Sequence, residues 1–195
     1  YYSKKSFNNK YGVPLSIFNT PETTKFAVLE VGMDKKGEID FLSKLIKPNL
    51  GIITNISYAH IKNFKNLNQI AQAKGELIDN ILPGGSMVIN MDDKYYKYLL
   101  NRAKKRKLRI TTYSKKKTNA DIIFLNQKKI DTNYIINLKI KGEKKSFLVS
   151  KNLSNYIENI LATISILINY FDIEQLNKNI FLGFNIPKSR GSIIN

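Results

Sequence analysis

The sequence predicts an α/β fold in three layers, a mostly parallel central sheet flanked by helices, with a small antiparallel or mixed strand extension. Three observations predict it. In the first half of the chain, short apolar runs alternate with segments of helical period, as when buried strands are joined by helical crossovers. Glycine and proline punctuate the joins, at Gly32, Pro48 and Pro83-Gly84-Gly85. After Lys107 the pattern changes to short strands separated by polar, lysine-rich turns.

Taken in order, Phe26–Val31 reads as a buried strand ending at Gly32, and Gly37–Ile46 as a helix stopped before Pro48. Leu50–Ile56 is a second buried strand and Leu67–Ile81 a helix broken by Pro83. Ser86–Asn90 is a third strand and Asp93–Lys105 a third helix. Strand, helix and strand in this alternation imply right-handed crossovers and parallel pairing. The extension comprises Leu108–Tyr113, Ala120–Leu125, Tyr134–Ile140 and Ser146–Val149. Helices return at Asn155–Tyr170 and Ile173–Leu182, and the chain closes on IPKSRGSIIN, which reads as linker. No internal repeat is visible.

With 195 residues, 43% hydrophobic and 24% charged, the chain has the composition of a globular domain. No uncharged apolar run is long enough to span a bilayer, and the start, YYSKKSFNNKYG, has no signal-peptide core. The absence of cysteine excludes a disulfide framework and a cysteine metal site, and permits a reducing cytoplasm. A net charge of +17 suits an anionic partner. Its densest cluster runs Arg102, Lys104, Lys105, Arg106, Lys107 and Arg109, then Lys115, Lys116 and Lys117. Lysines are nonetheless spread along the whole chain and asparagine is abundant, the pattern of an AT-rich coding bias. The charge is therefore read as composition, with no nucleic-acid partner, although a phosphate-rich small substrate would benefit from the field.

Parallel strands end on one edge of a sheet, where open α/β folds bind ligands. Glu30 and His60, the only histidine, both fall at or just past the end of a predicted strand. Taken alone, a histidine in such a loop is more often structural than a ligand. Lys74 is a sharper anomaly. Leu67, Ile70, Leu77 and Ile81 form an apolar seam at helical spacing, and position 74 belongs to it. One reading is a lysine that snorkels to water; the other is an inward lysine serving the site. The sequence contains no G-x-x-x-x-G-K-[ST] phosphate loop.

Five ordered segments resemble the central ATPase domain of the Mur ligases. FNNKYGVPLSI is similar to the family's N-N-x-x-G-V-P-L, and LEVGMDKKGEIDFL to E-x-G-x-x-x-x-G-E-I-x-x-L. ITNISYAHIKNF is similar to T-N-I-x-x-A-H-L-x-x-F, IAQAKGELI to I-A-x-A-K-x-E-I, and VINMDD to V-x-N-x-D-D. Weaker matches follow in LSNYIENILATISIL (H-N-x-x-N-x-L-A-A) and PKSRG (P-x-x-x-R-G). The sequence departs from the pattern at Lys65, where the family has glycine, at Ser154, where it has histidine, and at Ser6, where it has asparagine.

The resemblance implies a central ATP-binding domain over residues 1–186, lacking its phosphate loop, and the start of a linker over 187–195. It implies a loop just before Tyr1, a UDP-binding domain before that and a C-terminal domain after Asn195, so that the fragment alone would be inactive. The V-P-L and G-E-I segments resemble most the members that attach D-alanyl-D-alanine to UDP-N-acetylmuramoyl-tripeptide, as cytoplasmic monomers with no membrane insertion. The implied reaction is ATP-driven amide formation in peptidoglycan synthesis. A substrate carboxylate takes the γ-phosphoryl group to give an acyl phosphate, and the dipeptide amine displaces phosphate. Mg²⁺ offsets the repulsion of the two anions.

By the same resemblance Glu30 holds one Mg²⁺, and His60 serves a second. Lys74 is carbamylated, turning a cation into an anionic oxygen ligand. Neutralising an ordinary lysine at pH 7 costs roughly 4–5 kcal/mol, which burial reduces. Asn155 and Asn159 contact ATP at the adenine, or alternatively only cap a helix. Arg190 contacts the phosphates, or is an ordinary linker residue. Asn8 and Asn9 line the muramoyl-peptide site. Competing readings are another Mur ligase, the related folylpolyglutamate synthase, or a non-catalytic basic binding module.

Overall fold

The computed structural model describes residues 1–4, 6–58 and 63–184. The α/β expectation is borne out. Among the described residues six strands hydrogen-bond in chain order: β1 (Leu50–Ile53), β2 (Ser86–Asn90), β3 (Arg109–Ser114), β4 (Ile122–Ile130), β5 (Asn133–Ile140) and β6 (Glu143–Ser150). β2 and β3 run in one direction, since Gly85 O accepts from Arg109 N at one end and Tyr113 O from Met91 N at the other. β3 pairs parallel with β4, and β4–β5 and β5–β6 are antiparallel, which is the expected extension. Among the described residues five helices accompany them: α1 (Gly12–Phe18), α2 (Glu38–Ile46), α3 (Leu67–Asp79), α4 (Tyr96–Lys105) and α5 (Ile157–Leu167).

The chain divides into two compact units. The first takes residues Tyr1–Met87 and Asp93–Ile110. In it α3 packs against α2, α4 and β1. Its core includes Leu42, Ile70, Ile78, Ile81 and Leu99, each at most 1% exposed. The face that α3 buries most deeply carries Ile70, Ala73 and Ile78, so Lys74 lies at the margin of the buried stripe, not at its centre. Asn66 starts this helix by accepting the Gln69 N–H at 3.1 Å.

The second unit takes Val88–Asp92 and Thr111 onward. Here α5 lies against β4, and Phe147 meets Phe181 edge to face with ring centres 5.8 Å apart. The β3–β4 pairing is only two residues deep, Tyr113↔Ile122 and Ser114↔Ile123. A short connection cannot ordinarily return a parallel strand. Asp121 makes this one possible, because its carboxylate accepts from Thr112 N and Thr112 Oγ1, each at 2.7 Å.

Two expected elements are absent. Phe26–Val31 is not a buried strand: it makes one isolated bridge, Tyr2↔Val28, and Phe26 and Val28 are 47% and 65% exposed. Leu29 and Val31 are half-buried, and the remaining side chains of the run are exposed. The helix expected over Ile173–Leu182 is a single 3₁₀ turn at Ile173–Gln175, closed by a capping box between Asp172 and Gln175. Conversely α1 has no counterpart in the sequence reading. The expected linker from 187 lies outside the described residues.

Candidate functional site

The site-bearing part of the first unit is built from polar side chains that hold irregular backbone. Asn8 and Glu30 come together, with Asn8 Nδ2 donating to Glu30 Oε1 at 3.0 Å. Glycine at position 32 makes this possible, because a Cβ there would sit 2.9 Å from Asn8 Cγ. Gly32 N in turn donates to Asn8 O at 2.7 Å, and Glu30 N to Ser3 Oγ at 3.2 Å. Glu30 is exposed, and its carboxylate is a hard oxygen group of the kind Mg²⁺ prefers.

Asn9 is engaged differently. Its Oδ1 accepts from Tyr11 N at 3.0 Å and Gly12 N at 2.9 Å, so it opens α1. Gly12 permits the turn, since a Cβ there would stand 2.5 Å from Phe7 Cα. The N-N-x-x-G spacing is thus explained by geometry: one asparagine meets Glu30, the next caps a helix, and the glycine clears the backbone.

Lys74 is half-buried on α3, and its Nζ donates to Asn55 O at 2.7 Å, just beyond β1. Burial lowers its pKa from the ordinary lysine value, and the charge of Asp93 opposes that shift. Asp93 was not singled out in the sequence reading, although it belongs to the quoted N-x-D-D segment. Its Oδ2 accepts from Ile56 N at 2.6 Å and its Oδ1 from Tyr95 N at 2.7 Å, so it ends β1 earlier than expected and starts the turn into α4.

Glu76 was also missed. It is 7% exposed, and its carboxylate accepts from Gly37 N at 3.0 and 3.1 Å and from Asp40 N at 3.1 Å, capping α2 from α3. Gly37 has φ of 92°, a left-handed conformation that favours glycine. Next to it Glu38 Oε2 accepts from Asp34 N at 2.6 Å and Lys35 N at 3.1 Å. The Asp34 amide holds the Glu38 carboxyl below its usual value. The signal for both glutamates was in the motifs themselves, G-E-I and A-K-x-E.

In the second unit, Asn155 closes a 3₁₀ turn and Asn159 stands in the first turn of α5; both are exposed. Ser154, at the position where the family pattern has histidine, is buried, with its Oγ donating to Lys151 O at 2.7 Å. His60 and Arg190 lie outside the described residues. Among the described residues no group of three or more His, Cys, Asp or Glu could hold a metal ion. Mg²⁺ does not need such a group, because one or two carboxylates with phosphate oxygens suffice.

The basic cluster is partly structural. Arg102 binds Asp79 through Nε at 3.0 Å and also through Nη2, and Arg106 Nη2 donates to Ile81 O at 3.2 Å. Among the described residues no helix is long and apolar enough to cross a membrane.

Comparison with known proteins adds three likenesses. A UDP-N-acetylmuramoyl-tripeptide–D-alanyl-D-alanine ligase of Rickettsia prowazekii is 32% identical over 199 residues, covering 99% of this chain and 43% of that protein. This chain thus spans less than half the length of that relative. The MurF structure from Acinetobacter baumannii superposes with a TM-score of 0.79 at 23% identity, covering 89% of this chain and 37% of the other. MurF ligase from Thermotoga maritima in complex with ADP gives a TM-score of 0.70 at 20% identity, covering 89% of this chain and 40% of that one. At such identities the two structures speak for the fold. The sequence pattern of the Mur ligase middle domain matches residues 2–167, which takes in Asn8, Glu30, Lys74, Glu76 and Asp93 together, and the chain belongs to that family.

Proposed function

We propose that this chain is the ATP-handling part of a ligase that joins D-alanyl-D-alanine to UDP-N-acetylmuramoyl-tripeptide in peptidoglycan synthesis. The observation that carries the reading is the alignment of 99% of the chain with a relative named for that reaction. The chemistry of the site supports it. Amide formation from a carboxylate needs activation by phosphoryl transfer, and two anions must be brought together. Glu30 would hold a Mg²⁺, whose charge would offset their repulsion. Glu30 presents an exposed carboxylate oriented by Asn8, and Asn8 stands beside it to meet substrate.

Lys74 is carbamylated in this reading. Its neutral amine attacks CO2; the N–C bond forms as one C=O π bond opens to the carbamate oxygen, and the nitrogen's extra proton goes to solvent, leaving an anionic oxygen group. A half-buried amine whose pKa is lowered by burial supports that step. His60 serves the metal, Asn155 and Asn159 hold the nucleotide base, and Arg190 meets the phosphates. The protein acts as a cytoplasmic monomer.

The test is phosphate release by the full-length polypeptide given ATP, the muramoyl-tripeptide nucleotide and D-alanyl-D-alanine. Release that depends on the dipeptide is expected, and release indifferent to it defeats the reading. Lys74→Ala is expected to lose activity and to regain part of it with added short carboxylic acids. Full activity in that variant removes the carbamate.

A further inference from the structure

The meander β4–β6 has an edge and a face that the ligase reading leaves unused. β6 is the end strand of the sheet. Its Leu148 turns its N–H away from β5 and donates to Lys178 O at 2.8 Å, and Val149 bridges Phe181, so the segment 178–181 covers that part of the edge. By the alternation of a strand, Ser146 and Lys144 turn their backbone groups the same way as Leu148. Among the described residues nothing hydrogen-bonds to those groups. An edge left open in this way can accept another strand.

The open stretch lies beside a cleft of about 110 Å³ whose lining includes Ile135, Ser146, Leu148 and Lys178. A benzene ring sits in a cavity of roughly 150 Å³, so this cleft suits one branched aliphatic side chain and not a ring. Residues paired across a ladder share a face, so Lys139 and Lys144 stand opposite each other on the side that carries Ile135 and Leu148. Like charges so placed repel, and neither lysine has an ion-pair partner among the described residues. The carboxylate of β6, Glu143, pairs with Ile140 and falls on the other face. Asn137 ties the outer face together, accepting from Ser146 Oγ at 2.6 Å and donating to Asn126 Oδ1 at 2.7 Å.

We propose that the open edge of β6 at Lys144 and Ser146 is a docking site for an extended acidic segment of another polypeptide. The segment adds as a strand, lays an aliphatic side chain opposite Ser146 into the cleft, and sets a carboxylate two positions along over Lys144 and Lys139. Main-chain hydrogen bonds supply the affinity, while the cleft and the lysines supply the choice of partner. The outer face of the meander carries no aromatic ring on which a base could stack, which favours a polypeptide over a nucleic acid. Nothing in this site depends on the ligase reading.

The experiment is an NMR titration of the 195-residue chain in dilute salt with the peptide acetyl-Glu-Thr-Leu-Thr-Glu-amide, whose residue order is the same in either strand direction. Saturable shifts are expected at the Ile135, Ser146 and Leu148 amides, with slower hydrogen exchange at Ser146 N–H. Methylating the leucine nitrogen removes a main-chain donor and should weaken binding about tenfold. Lys144→Glu, a change at an exposed position, should weaken it by about tenfold as well. Absence of saturable shifts at millimolar peptide overturns the site. Equal binding of the methylated peptide overturns strand addition. Equal binding of acetyl-Lys-Thr-Leu-Thr-Lys-amide overturns the acidic partner. A short oligothymidylate that moves the same amides at lower concentration than the peptide overturns the polypeptide in favour of nucleic acid. Slow exchange at Ser146 N–H in the full-length polypeptide before any peptide is added overturns a separate partner, since the molecule's own chain then fills the edge.

Discussion

The stretch from Glu30 to Gly37 and the β4–β6 meander satisfy their backbones by opposite means. β4 and β5 pair from Ile122↔Ile140 to Ile130↔Asn133, with one irregularity between Phe124 and Asn126, and β5 and β6 pair from Asn133↔Ser150 to Ile140↔Glu143. Almost any side chain is compatible with that ladder, and the outer half of β4 is indeed exposed and polar. From Glu30 to Gly37 there is no ladder. The N–H groups of Glu30, Asp34, Lys35 and Gly37 go to the side chains of Ser3, Glu38, Glu38 and Glu76. Buried and half-buried backbone must find partners somewhere. Where partners are side chains, residue identity becomes part of the backbone geometry. The site region is therefore sensitive to single substitutions that the meander would absorb.

Four substitutions break or sharpen this contrast. The largest effect is expected at Glu76→Ala, which strips the cap from α2 inside a buried setting. Unfolding in urea should show a loss of about 3 kcal/mol, with exchange rising first at Gly37 and Asp40 and last in β5. Next is Gly142→Ala in the β5–β6 turn, where φ is 99°. It should cost about 1 kcal/mol by the same urea measurement and leave Glu30 and Asn8 resonances unmoved. Asp79→Asn removes the charged partner of Arg102, an ion pair whose carboxylate is 44% exposed. The loss should stay under about 1 kcal/mol and shrink further in high salt.

The smallest effect is a slope. As the unmodified amine, Lys74 has a lowered pKa when folded, so between that value and the unfolded lysine value the unfolded chain binds the extra proton. Stability contributed at this position therefore rises with pH through that window. Urea midpoints at two alkaline pH values should climb more in the wild type than in Lys74→Met.

Much of the fold was legible because periodicity and punctuation suffice where burial is two-sided or the ladder is regular. β2 matches its expected bounds, and α3 begins at the expected Leu67. β1 stops at Ile53, short of the expected Ile56, because Asp93 captures the Ile56 N–H, a long-range event that no local pattern encodes. α1 was missed because seven residues containing Pro14 carry too little period, and its start depends on Asn9 taking two amides. Phe26–Val31 was misread because apolar composition was taken as burial. Of the site, the motif letters pointed to Glu30, Asn8 and Lys74. They gave no separate weight to Glu76 and Asp93, whose roles are visible only through the amides they accept from elsewhere in the chain.

The exposure of Phe26 and Val28 bears on how the 195-residue chain behaves in a test tube. Phe26 and Val28, 47% and 65% exposed, put apolar surface where another molecule can meet it, and lysines are the usual deterrent. Here deterrence comes from the whole surface, at a net charge of +17. Such repulsion has a short reach, about 8 Å at physiological ionic strength and about 3 Å in molar salt. The colloidal behaviour should therefore invert the usual handling rule: dilute buffer keeps the molecules apart, and added salt brings them together.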